Sequence, residues 1–257
     1  CVDFGMRSPA LAAPGCFALA EGRSSEVFKW RRVVGDANLV GHRSVAVPGA
    51  VAGYAAALAR WGRLPLATVI EPAVATAAEG VPVRYYHSVL VLRELVKLRR
   101  FPATAAIFLQ GGDPPFPLDS TGTGARLVQP DLARTLRAIA ADGPDAFYRG
   151  PFAAALDAEM RAHDGLLRAD DLAAVAARIV PALTGPYRGV VVATAPESFG
   201  GVTMMETLRI LDGFDLAPLG HNTPAALHLI AEASRLAFAD RYAYLADPAA
   251  VPVPFAG

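Results

Sequence analysis

Strand-length apolar runs alternating with helical stretches predict a protein of the α/β or layered α+β class. Two observations carry this expectation. Several segments open on proline and close on glycine around an apolar stripe of helical spacing, and Val190 to Ala195 is a continuous apolar run of strand length. Neither a repeat nor a low-complexity linker interrupts the chain, so a single domain is expected.

In order, Val2 to Phe4 reads as the end of a strand. The stretch from Pro48, PGAVAGYAAALARWG, has a proline start, an Ala-rich body and a closing glycine, and is read as a helix. Leu66 to Glu79 is closed by Gly80, and Tyr86 to Arg100 spaces Val89, Leu92, Leu95 and Val96 along one helical face. Gly111 to Gly124, rich in Gly, Pro, Asp, Ser and Thr, is expected to be a surface loop. Helices are expected again over Pro130 to Ala141, Pro151 to His163 and Ala169 to Ala177. Val190 to Ala195 is expected to be a strand buried on both faces of a sheet, followed by helices from Val202 to Asp212 and from Pro224 to Leu245.

With 53% hydrophobic residues and 19% charged ones, 257 residues suffice for a large core. The 24 basic side chains balance the 24 acidic ones. This leaves no net positive potential for nucleic acid or for an anionic membrane surface, and neither is expected as a partner. No apolar stretch approaches the roughly 20 residues that cross a bilayer. The chain opens Cys1-Val2-Asp3-Phe4 without a basic or apolar leader, so a leading segment is expected to be absent from it and the compartment stays open.

Cys1 and Cys16 are too few for a disulfide framework and lack Cys-x-x-Cys spacing. They read as ordinary thiols, with Cys1 as an N-terminal nucleophile the sharper alternative. His42, His87, His163, His221 and His228 form no metal motif and are expected at the surface or at helix caps, with no metal bound. Asp170, Asp171, Glu232 and Asp240 read as solvated or structural. In PESFGGVTMMETLRIL, the Gly200-Gly201 pair lacks the glycine spacing and the lysine of a phosphate cradle, and reads as a sharp strand-to-helix turn.

The same stretch, Pro196 to Leu216, resembles the Ser-Gly-Gly turn and following helix in the large subunit of γ-glutamyltranspeptidases. Further segments resemble that family in the same order: SVAVPGAVAG (Ser44 to Gly53), LVQPDLARTLRAIAADGPDAFYRG (Leu127 to Gly150), GLLRADDL (Gly165 to Leu172) and AEASRLAFADRYAYLADP (Ala231 to Pro248). The resemblance runs from Asp3 to the end and is loosest over residues 12–43 and 101–126. Arg235, Arg241, Tyr242 and Tyr244 resemble a family segment packed where two chains meet.

The resemblance implies an α+β fold, the αββα sandwich of the N-terminal nucleophile hydrolases, with residues 1–257 forming the large-subunit portion of a single domain completed by a small subunit. It implies a self-cleaving precursor, a nucleophilic threonine at the start of the small subunit and an acyl-enzyme on that threonine, with no cofactor. No threonine here stands in the family's cleavage context, so the nucleophile is expected beyond Gly257.

One family site residue belongs to this portion, an arginine that clamps the α-carboxylate of the γ-glutamyl donor. The family pattern resembles Asp-Phe-Arg-Glu-x-x-Pro, with arginine four residues before the proline. Here DFGMRSP places Gly5 at that position and Arg7 two before Pro9, an arrangement more like the GGRAP or SGRAP of cephalosporin-acylase-like members.

Losing one side of such a clamp costs roughly 2 to 5 kcal/mol, about thirty- to several-thousand-fold in rate or affinity. Residues i and i+2 of an extended segment share a face about 6.6 Å apart, so Arg7 is a candidate for holding a carboxylate placed differently, as in a glutaryl group. The alternative is Arg7 as an ordinary ion-pair partner. The expected activity is therefore hydrolysis of a small-molecule amide with an acidic acyl part. Transfer from glutathione, a lone-chain Cys1 hydrolase and a non-catalytic binding protein are the rivals.

Overall fold

The computed structural model describes residues 1–23, 29–117, 124–196, 199–248 and 251–254. In chain order the elements are β1 (Val2–Asp3), β2 (Leu19–Arg23), β3 (Arg31–Val33), α1 (Ala50–Trp61), α2 (Leu66–Glu79), β4 (Val81–Pro82), α3 (Tyr85–Leu98), α4 (Pro102–Phe108) and β5 (Arg126–Leu127). There follow α5 (Pro130–Asp142), α6 (Asp145–Tyr148), α7 (Pro151–Ala162), α8 (Ala169–Ala173), β6 (Arg178–Ile179), β7 (Leu183–Tyr187), β8 (Val190–Thr194), α9 (Gly201–Asp212) and α10 (Pro224–Tyr244). Two compact units result, Phe4–Ala177 and Cys1–Asp3 with Arg178–Gly257.

The first unit is helical with short antiparallel pairs, β2 with β3 and β4 with β5. Its largest helix contact is α2 on α5. Where Gly80 ends α2 it takes φ +77, and any Cβ there would press within 2.8 Å of the Leu127 carbonyl. The stop signal thus serves a close backbone approach as well as a left-handed conformation. A core of Val47, Tyr148, Ala153, Met160, Leu167 and Leu172 joins α6, α7 and α8 to the segment before α1. Leu167 and Leu172 are fully buried.

The second unit is a hairpin backed by two helices. β7 and β8 pair from Leu183 with Thr194 to Tyr187 with Val190. Arg188 (φ 47) and Gly189 (φ 82) make the two-residue connection, the left-handed pair that matches strand twist. Helix α9 lies on this hairpin, where Gly185 leaves the space that the Met205 methyl occupies. Helix α10 packs on α9, and its buried residues are Ala226, Ala233 and Ala237. β1 pairs β6, and the Cys1 nitrogen continues that ladder by donating to the Val180 carbonyl at 2.8 Å.

Three expectations need correction. Among the described residues β8 pairs only with β7, and Val190 and Val191 are 58% and 76% exposed, so the run is not buried on both faces. Ala169–Ala173 is a single short helix, because the chain leaves helical geometry after Ala174 and Arg178 enters β6. Helix α4 and strand β7 lie where the sequence suggested no regular element. Of the expected loop, residues 118–123 lie outside the described set, as do Glu197 and Ser198 of the glycine turn. No helix is long and apolar enough to cross a membrane among the described residues.

The Gly200-Gly201 pair turns the chain, but not through positive φ. Gly200 caps α9 in right-handed geometry, φ −66, and a Cβ on Gly201 would collide with the carbonyl of Ala195 and the side chain of Thr194. Its role is to bring the first turn of α9 against the end of β8.

Candidate functional site

The segment Phe4 to Ala10 carries both candidate residues, and the first unit holds it at three points. At its start, Phe4 lies over α1. A Cβ on Gly53 would fall inside the Phe4 ring and one on Gly49 would strike the Phe4 carbonyl, so these two glycines create the seat. The ring of Tyr54 closes the seat at 5.8 Å between centroids.

In its middle, Arg7 and Val47 form an isolated antiparallel bridge. The Val47 N–H donates to the Arg7 carbonyl at 2.8 Å and the Arg7 N–H to the Val47 carbonyl at 3.3 Å. At its end, the Ala10 N–H donates to the Asp171 carboxylate at 2.9 Å, whose other oxygen accepts from the Arg168 N–H at 2.8 Å at the start of α8. Asp171 is thus structural: it caps a helix and tethers the segment with one carboxylate.

The strip that receives Arg7 is itself fixed from below. Tyr148, 3% exposed, donates its hydroxyl to the Pro48 carbonyl at 3.0 Å and accepts from the Ala52 N–H at 3.1 Å. Ala52 lies in the first turn of α1, where backbone N–H groups have no helical partner. Burial pushes the Tyr148 phenol above its usual range, while its contacts with the α1 backbone pull the other way.

Gly5 is half-buried and Arg7 exposed. Among the described residues no carboxylate pairs with the Arg7 guanidinium, so its expected alternative role as an ion-pair partner is not seen there. A fixed backbone, with a guanidinium that has no carboxylate partner among the described residues, suits binding of an anionic group.

Of the other expected site features, His87 caps α3, its Nδ1 accepting from the Arg84 N–H at 3.0 Å. His42 and His163, separate in the sequence, meet at Glu159. In the second unit, Arg241 lies over Phe238 at 5.9 Å and donates to the Thr203 hydroxyl at 3.3 Å, so it serves packing. Asp240 faces Glu206. Desolvation, then the neighbouring Asp240 carboxyl, raises the pKa of Glu206. This carboxyl pair has no sequence signature, since its members lie on different helices.

The sequence pattern of one family, gamma-glutamyltranspeptidase, matches residues 13–256. The chain belongs to the γ-glutamyltranspeptidase family. It is 43% identical over 234 residues to the acylase ACY 1 proenzyme of Pseudomonas sp. (strain SE83), covering 91% of this chain and 41% of that protein. To the glutathione hydrolase proenzyme of Escherichia coli (strain K12) it is 34% identical over 264 residues, 99% of this chain and 42% of that protein.

The solved γ-glutamyltranspeptidase of Helicobacter pylori superposes with a TM-score of 0.86 at 27% identity, covering 98% of this chain and 69% of that one. The fold is therefore α+β, of the N-terminal nucleophile hydrolase type. This chain spans about two fifths of the length of the curated relatives it matches. The segments SVAVPGAVAG, GPDAFYRG and GLLRADDL, which carry the family resemblance, prove to be the parts that hold the Phe4–Ala10 segment in place: Val47 and Gly53, Tyr148, and Asp171 respectively.

Proposed function

We propose that the chain is the large-subunit portion of an amide hydrolase of acylase type, one N-terminal nucleophile hydrolase domain completed by a small subunit cut from the same precursor. In this reading the small subunit's N-terminal threonine attacks the amide carbonyl and its amine takes the hydroxyl proton. The proton passes to the departing amine, and water then releases the acid from the acyl-enzyme. No metal or cofactor enters the reaction.

The observation that carries the reading is the geometry at the donor-clamp position. Gly5 supplies no guanidinium, while Arg7, fixed through Val47, supplies one two residues along. An acyl group with an acidic end but without the γ-glutamyl α-carboxylate placement fits this exchange. The greater identity to an acylase proenzyme than to a glutathione hydrolase proenzyme supports it. A missing cover is also supported by β8, whose apolar side chains Val190 and Val191 stand exposed, a costly state for a strand unless another layer packs on it.

Intact-mass and N-terminal analysis of the purified full-length protein tests the reading. It is expected to give two chains, the second beginning with threonine, and an acyl adduct on that second chain after brief exposure to a glutaryl amide. A single uncut chain that hydrolyses the amide, or an adduct on Cys1, would overturn it.

A further inference from the structure

We propose that His42, Glu159 and His163 form a binding site for a divalent transition-metal ion of the zinc type. The proposal is independent of the catalytic reading above. His42 stands in the single helical turn His42–Ser44, and Glu159 and His163 lie one turn apart at the end of α7. His42 Nε2 is 3.1 Å from Glu159 Oε1, and His163 Nε2 is 3.3 Å from the same oxygen. All three ligand atoms lie within 4.8 Å of one another. The two imidazoles stack at 4.5 Å and 18°.

The separations from Glu159 Oε1 to the two imidazole nitrogens are those of a coordination shell, and the stacked rings have only to turn out of their near-parallel planes for both Nε2 atoms to reach one ion. Zinc bonds of about 2.0–2.2 Å in tetrahedral geometry place neighbouring ligand atoms about 3.3–3.5 Å apart, so an ion can enter with little movement of either helical segment. Two imidazoles and one carboxylate suit zinc and its neighbours rather than calcium or magnesium, which prefer all-oxygen shells. Three protein ligands at an exposed rim leave a fourth position for water.

Coordination would replace the His42–Glu159 hydrogen bond and the 3.3 Å approach of His163 to the same oxygen, so each imidazole would turn its Nε2 lone pair to the metal and keep its hydrogen on Nδ1. Among the described residues neither Nδ1 has an acceptor, so the site lacks the outer hydrogen bonds that strengthen a zinc-bound histidine. Modest affinity follows.

The surroundings favour a cation there. The nearby cation Arg43 is engaged elsewhere, with Asp164 at 2.5 Å and the Cys16 carbonyl at 2.8 Å. Among the described residues the two imidazoles are the polar partners of Glu159. Below the site Gly165 is buried, with room for a Cβ closed by Met160 and by His42 Cβ at 3.2 Å. This packing fixes His42 while Glu159 and His163 stay at the rim. A bound ion would tie the end of α7 to the turn that leads directly into Val45–Val47.

The test is calorimetric titration of Zn²⁺ into EDTA-stripped full-length protein, repeated with His163→Ala, Glu159→Gln and, as a distant control, His228→Ala. These positions are exposed, so folding is expected to survive each change. One saturable equivalent is expected, weakened at least about tenfold by either of the first two changes and unchanged by the third. Zinc at a hundred times its Kd should shift the unfolding equilibrium of the unmodified protein about a hundredfold and that of His163→Ala about tenfold or less. Absence of saturable binding, or equal affinity in His163→Ala and the unmodified protein, would overturn the proposal.

Discussion

The hydroxyl of Tyr148 donates to the carbonyl of Pro48 at 3.0 Å, a hundred residues away in sequence. It also accepts from Ala52, so one phenol satisfies a carbonyl and an orphan N–H at the start of α1. Tyr148→Phe keeps the ring but strands both groups, at an expected cost of about 1–3 kcal/mol. Denaturant midpoints with an unchanged slope would register it. Because Val47 precedes Pro48 and bridges Arg7, the same variant should raise KM for the acyl donor more than it lowers kcat.

Gly53 sits inside α1, where alanine would ordinarily add about 1 kcal/mol of stability. Here the added methyl would occupy the Phe4 ring. Overpacking of this kind costs about 1–3 kcal/mol, so Gly53→Ala should destabilise on balance. Loss of the proposed amide-hydrolase activity should exceed the loss of folded protein, since Phe4 anchors Gly5 and Arg7. Thermal melts paired with active-site titration separate the two.

The helices legible in the sequence were those with both ends written locally, such as α2, whose bounds Leu66–Glu79 agree with the expectation, and α5 between Pro130 and Gly143. Strand β7 was not legible. Leu-Thr-Gly-Pro-Tyr reads as loop, and it becomes a strand by pairing with β8 and by making room at Gly185 for Met205. Helix α4 opens on a proline but is too short for an apolar period to show. At the site, the exchange of Gly5 and Arg7 could be read directly because it is local. The partners of that segment, Val47, Tyr148 and Asp171, could not, because no spacing links residues 40 to 160 positions apart. Glu159 and His163 had a visible one-turn spacing, but His42 did not.

Asp171 makes two charge-assisted hydrogen bonds, to Ala10 and Arg168. Asp171→Ala should lose about 1–3 kcal/mol, and Asp171→Asn, which keeps a single acceptor oxygen, a smaller share. If the tether from Ala10 positions Arg7, KM for an acidic acyl donor rises in the order of these losses. Steady-state kinetics beside urea denaturation tests that order.

Desolvation and Asp240 raise the pKa of Glu206, so the folded state holds that proton more tightly than the unfolded one. Stability should therefore fall as the pH rises from the ordinary carboxylate range near pH 4 through the raised value. Glu206→Gln should remove this slope and melt higher than the parent near neutral pH, with the difference vanishing in acid. Melting temperatures across pH would show it, and a parent slope retained in the variant would exclude Glu206 as its source.

The central claim is that the anion clamp has moved from the position of Gly5 to Arg7. The most direct measurement is kcat/KM of the full-length protein for glutaryl- and γ-glutamyl-p-nitroanilide, before and after Gly5→Arg and Arg7→Ala. The account predicts preference for the glutaryl substrate, its loss by about thirtyfold or more in Arg7→Ala, and improved γ-glutamyl hydrolysis in Gly5→Arg. Strong γ-glutamyl turnover by the unmodified protein, indifferent to Arg7, would contradict it.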